Sequence, residues 1–97
     1  MTNGNLHTIF LDFRGGTYVS QIRSTNPLEA LKDWAKSLPE EDLHVWQLRR
    51  DDLIRVIQDG SLIPLADCLN VWCLAGVGKG DELILLNVVT TAAEPID

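Results

Sequence analysis

In the stretch LAGVGKGDEL, residues 74–83, Lys79 stands among three glycines, and a lysine in a glycine-rich loop is how many proteins hold phosphate. A loop of that kind reads G-x-x-x-x-G-K-[ST] and opens a helix, because the helix N-terminus and the loop amides hold the anion while the hydroxyl holds magnesium. Here Gly80 occupies the place of the hydroxyl, and a strand-like run, ELILLNVV, follows where the helix is needed. Glycine supplies the positive φ that hairpin connections demand, so GVGKGD reads as a turn between antiparallel strands. His7 and His44 are the only histidines, and neither has a Cys, Asp or Glu at metal-ligand spacing on a clear helix. Ser20, Ser24, Ser37 and Ser61 lack a G-x-S-x-G elbow or a local base. Cys68 and Cys73 lie five apart, which fits neither a zinc pair nor a C-x-x-C redox motif, and both are read as reduced packing residues. Asp12 and Asp67 sit near apolar neighbours where burial would shift a pKa, but no EF-hand or H-E-x-x-H pattern gathers the carboxylates into a metal site. The expectation is a chain without catalytic residues, metal or cofactor. A small hydrolase is the enzymatic alternative, and it needs His44 or Asp12 in a pocket.

A second constellation suits binding. The 14 acidic and 8 basic side chains give a net charge of −6, a field that repels nucleic acid and anionic membranes and favours basic partners. Glu40, Glu41, Asp42, Asp51 and Asp52 flank Trp46 within one stretch, and an aromatic anchor ringed by charge concentrates binding energy and steers association. Phe10, Asp12 and Tyr18 are expected to share the sheet face away from the helices. The candidate contact residues are therefore Glu40, Glu41, Asp42, Trp46, Asp51, Asp52, Asp12 and Tyr18. No stretch reaches the roughly 20 apolar residues of a membrane span, and MTNGNLHTIF lacks the features of a secretion signal, so a cytoplasmic protein is expected.

The elements that position these residues follow from periodicity. In HTIFLDF, Ile9, Leu11 and Phe13 alternate with Thr8, Phe10 and Asp12, the pattern of a strand. RGG turns the chain and TYVSQIR forms a second strand, making residues 7–23 a β-hairpin. Asn26 caps a helix with Pro27 at its first position and Glu29 three residues after the cap, and Leu28, Leu31, Trp34, Ala35 and Leu38 give that helix an apolar face. EEDLHVWQL suits a connector or short strand slightly better than a helical turn. RDDLIRVIQDG is a second helix, with Asp51 and Asp52 at its N-terminal end and Gly60 as its stop. SLIPLADCL is a loop or edge segment, since Pro64 cannot donate to a ladder, and NVWCLAG and ELILLNVVTT are the last two strands. With 97 residues and no linker or repeat, the reading is a single α+β domain: one four-stranded antiparallel sheet in ββααββ order, with two helices on one face. LILLNVV is too apolar for a strand with a wet face, so its strand is expected to be central in the sheet, or its second face to be covered by a partner or another copy of the chain.

The pieces FLDFRGGTYVSQI, NPLEALKDWA and NVWCLAG, in a small acidic chain, resemble the toxin-neutralising immunity proteins of bacteria. The resemblance lies in size, acidity and the two-hairpin, two-helix layout over most of the chain. It implies a non-enzymatic inhibitor that covers a basic toxin domain, and it carries no residue across, because such proteins share no catalytic signature and vary at their contact residues. The alternative is a structural homo-oligomer, a homodimer in its simplest form, in which LILLNVV or VWCLA pairs between copies.

Overall fold

The alternation of HTIFLDF becomes β1, Asn5–Phe13, and TYVSQIR lies within β2, Gly16–Ser24, paired antiparallel with Phe13 opposite Gly16. The connection is the two residues Arg14 and Gly15, at φ 51° and 82°. Positive φ at both positions matches the twist of a two-residue hairpin, which is why glycine is needed at Gly15. The structure, a computed structural model, describes residues 4–91.

Helix α1, Pro27–Ser37, begins as its sequence dictates: the Asn26 side chain accepts a hydrogen bond from the Glu29 amide at 2.9 Å, and Pro27 opens the first turn. The Glu29 carboxylate does not close the reciprocal half of a capping box and lies instead 3.6 Å from Lys32. Residues 40–46, favoured as a connector from sequence, form a helix, α2, Glu40–Trp46. Three acids in its first turn favour the helix dipole, Leu43 is buried, and Gln47 takes a left-handed conformation at φ 60° that ends it. Helix α3, Arg50–Asp59, then buries Leu53, Val56 and Ile57.

Strand β3, Ile63–Pro64, is two residues long and pairs with β4, Val71–Val77. Pro64, which has no amide to donate, fits this edge strand, and just beyond it the Leu65 N–H donates to the Val71 carbonyl at 2.9 Å. The loop 78–82 closes the final hairpin to β5, Leu83–Thr90, and Gly78 N–H donates to the Glu82 carbonyl at 2.7 Å. GVGKGD is thus the turn its glycines imply.

The sheet has five antiparallel strands in the order β2-β1-β5-β4-β3. The expected count of four strands and two helices is therefore corrected to five and three, in ββαααβββ order, while the α+β class and the antiparallel sheet stand. The two additions are the elements too short to assert themselves by periodicity, α2 and β3. The terminal hairpins lie side by side through β1 and β5, with Leu11 opposite both Tyr18 and Leu86. One sheet face supplies Ile9, Leu11, Phe13, Leu74, Ile84, Leu86 and Val88 to the core, and α1, α2 and α3 supply Leu31, Trp34, Leu43, Leu53 and Val56 against it. Helix α3 seats closely on β4 because Gly76 has no side chain; a Cβ there would stand 2.6 Å from Val56 Cγ1. Among the described residues no helix is long and apolar enough to cross a membrane.

Candidate functional site

The acidic stretch is divided by folding. Asp52 is buried in the first turn of α3, where it accepts from the Lys79 amide at 3.3 Å and from Arg55 at 3.0 Å. The carboxylate that the glycine loop meets is thus the chain's own, and Asp52, offered from composition as a contact residue, is buried and engaged within the fold. Asp52→Ala should lower the stability of the fold by about 1–3 kcal/mol, because the Lys79 amide loses its acceptor in a poorly solvated place. Asp52→Asn, which keeps an acceptor oxygen, should cost less, and Asp51→Ala, at an exposed position, about 0.5 kcal/mol or less. Urea unfolding midpoints of the three variants check the order.

Glu40 is exposed but engaged, since its carboxylate lies 3.0 Å from Arg50. The Arg50 guanidinium also donates to the carbonyls of Ala35, Lys36 and Leu38 at the end of α1. It satisfies acceptors that a helix C-terminus leaves open and ties all three helices together. Sequence reasoning missed this role, because nothing in the pair Arg49–Arg50 shows which of the two turns back to the end of α1. Glu41 and Asp51 are exposed and Asp42 is half-buried, and these three keep the acidic character predicted for the stretch.

Trp46 and Tyr18 stack on one another with ring centroids 4.6 Å apart, both half-buried against the core. This contact seats α2 on the β2 edge. Tyr18 therefore lies on the helix face of the sheet and not, as expected, beside Phe10 and Asp12. The two-residue turn at Arg14 and Gly15 is the reason: it pairs Phe10 with Val19 and Leu11 with Tyr18, and one residue of register exchanges the faces. Asp12 does lie on the outer face, where it accepts from the Thr17 hydroxyl.

His7 is buried. Its Nε2 lies 3.1 Å from the Ser24 carbonyl and its Nδ1 2.8 Å from the Thr90 hydroxyl. The carbonyl only accepts, so in the neutral ring Nε2 carries the proton and Nδ1 accepts from Thr90. His44 is exposed on α2 and borders an open hollow together with Glu40, Gln47, Arg49 and Arg50, while Asp12 lies on a different element and outside that hollow. Cys73 is half-buried, but Cys68 is exposed, which corrects its reading as a packing residue. No group of three His, Cys, Asp or Glu side chains able to hold a metal occurs among the described residues.

The largest feature without an internal purpose is the outer face of the sheet. Register places Leu6, Thr8, Phe10 and Asp12 of β1 there, beside Thr17, Val19, Gln21 and Arg23 of β2. On the other side of β1 come Leu83, Leu85, Asn87 and Val89 of β5. Val71, Cys73, Ala75 and Val77 of β4 continue the face, which ends at Ile63 of β3. Val19, Ile63, Val77 and Leu83 are each more than half exposed, at 59%, 58%, 52% and 59%. The strand positions of this face carry two charges, Asp12 and Arg23. Depletion of charge over an exposed apolar surface is the composition of an interface core. LILLNVV forms β5, the central strand of the sheet, which is one of the two explanations its apolar excess offered, and its outer side lies on this face; Val19, Val77 and Ile63 join it only through strand order.

The chain matches no family model, no curated protein and no solved structure.

Proposed function

We propose that this chain is a non-enzymatic protein-binding module whose contact surface is the outer face of its sheet. The observation that carries this reading is the run of exposed and half-buried apolar side chains on the outer side of β5 and β4, which holds no charge, continues onto β1 at Leu6 and Phe10, and is covered by no described helix. Exposed apolar surface on this scale is costly for a chain to keep unless something binds it. The side chains considered for catalysis are engaged or separated: His7 in the core, Asp12 on Thr17, His44 on α2. In an affinity purification from cells that also express a differently tagged copy, Leu85→Lys should remove the protein that co-purifies stoichiometrically. Retention of that protein by a folded Leu85→Lys chain would sink the sheet-face reading.

A second reading rests on Glu41, Asp42 and Asp51, which remain at the surface of α2 and α3. It is an immunity-type inhibitor that covers a basic toxin domain with its helical layer. Reversing these three charges separates it from the first, since only the helical reading loses its partner by that change.

A further inference from the structure

We propose that the occupant of the outer sheet face is a second copy of the chain, joined by a two-fold axis that runs across the strands; this rests on the reading of that face as the binding surface.

Three features of the face select a copy over a foreign partner. The first is charge. Asp12 and Arg23 cancel, so the face offers no sign preference to a basic or acidic protein and does not repel itself. Of the 12 acids among the described residues, eight belong to α1, α2 and α3. In a face-to-face pair these lie on the outside, with two sheets about 10 Å apart between them, farther than the screening length of roughly 8 Å.

The second is the division of the face into strips. On β5 and β4 it is apolar apart from Asn87. On β1 and β2 it is largely polar, with Gln21 donating to Thr8 and Thr17 donating to Asp12. A two-fold axis across the strands lays apolar strip on apolar strip and polar strip on polar strip. It also reverses the strand ends: Asp12 stands in the row of Thr17 and Arg23 in the row of Leu6, about 20 Å apart along the strands. Each Asp12 is thereby brought toward the partner's Arg23. An axis along the strands would set each apolar strip against a polar one.

The third is size. Four neighbouring strands, and rows from that of Leu6 to that of Leu83, project roughly 500 Å² at ordinary strand spacing and rise. The accessible area of a corrugated face exceeds its projection, which brings the pair toward the roughly 800 Å² per partner of a standard interface. The product is a sandwich of two aligned sheets with helices on both outer sides.

The free cysteines supply a probe that needs no mutation, because Cys73 lies on the face and Cys68 outside it. Light scattering and thiol alkylation are measured together on the full chain from about 1 µM to about 1 mM, the range of weak to moderate affinities. The mass should rise from 10.8 kDa toward twice that value, and Cys73 alkylation should slow on the order of 10-fold in step with it while Cys68 holds constant. Leu85→Lys, which places a charge in the apolar strip, should raise the dissociation constant on the order of 100-fold and leave Cys73 reactive throughout. If that variant fails to fold, the concentration dependence of Cys73 in the natural chain decides alone. A monomer at every concentration overturns the second copy. If Leu85→Lys then still releases a foreign partner, the binding-face reading survives without it. A monomer with Cys73 protected throughout means that the chain's own residues cover the face, and both readings fall. A dimer that leaves Cys73 alkylation at its monomer rate, or that persists in folded Leu85→Lys, joins through another surface and overturns the second copy on this face, and the binding-face reading then stands or falls with the release of a foreign partner by Leu85→Lys.

Discussion

Replacing Trp34 by alanine should lower the unfolding free energy by about 3–5 kcal/mol, the range for deleting a buried large aromatic. A chain of 97 residues holds only about 5–15 kcal/mol in total, so the variant is expected to be partly unfolded at 37 °C. Trp34 is 3% exposed in the centre of α1, within the core shared by the helices and the sheet. Its indole N–H is buried and has no hydrogen-bond partner among the described residues. An unpaired buried donor costs roughly 1–3 kcal/mol, so Trp34→Phe should regain most of what alanine loses and fall within about 1 kcal/mol of the natural chain. Denaturant unfolding followed by far-UV circular dichroism measures both, with Trp46 and Trp72 as remaining fluorophores. If phenylalanine proves as damaging as alanine, the ring's shape or its N–H is used in a way that this packing does not describe.

The second large effect belongs to Arg50. Arg50→Ala should destabilise the fold by about 2–3 kcal/mol, since hydrogen bonds from a charged donor are worth roughly 1.5–3 kcal/mol and a single side chain here serves three main-chain acceptors. The Arg50 side chain is 23% exposed and its Glu40 partner 84%. The ion pair is therefore the small part, and Glu40→Ala should cost no more than about 0.5 kcal/mol. Arg50→Lys should recover little, because the acceptors at Ala35 and Leu38 are reached by different nitrogens of one planar fork, which an ammonium does not reproduce. Thermal and chemical unfolding of the three variants give the comparison. Equal losses from Arg50→Ala and Glu40→Ala would mean that the ion pair, not the carbonyl clamp, holds the helices.

Much of the architecture is local chemistry, and so it was legible residue by residue. Asn26 with Pro27 and Glu29 favours a helix start whatever surrounds it, because the cap amides lie within four residues of their acceptor. Two-residue alternation in HTIFLDF and the positive φ required between Gly78 and Asp81 likewise need only neighbours. The short elements escaped for the same reason in reverse: α2 spans two turns and β3 two residues, too few periods to distinguish helix, strand and coil. Their form is imposed from outside, by burial of Leu43, the Tyr18–Trp46 stack and the pairing of Pro64 with Trp72.

The candidate site divides along the same line. Composition alone determined an acidic chain without a recognisable catalytic motif, and LILLNVV alone showed that a strand had more apolar residues than one buried face requires. Only the tertiary structure decided what became of the acids, sending Asp52 into the interior beneath Lys79, binding Glu40 to Arg50 and leaving Glu41 and Asp51 in solvent. Strand order, in turn, gathered Val19, Phe10, Leu85, Val77 and Ile63, distant in sequence, onto one surface. A side chain's type and near neighbours fix which local conformations it favours. Whether it meets solvent, a counter-ion or another chain depends on residues tens of positions away, and that is settled only when the strands pair.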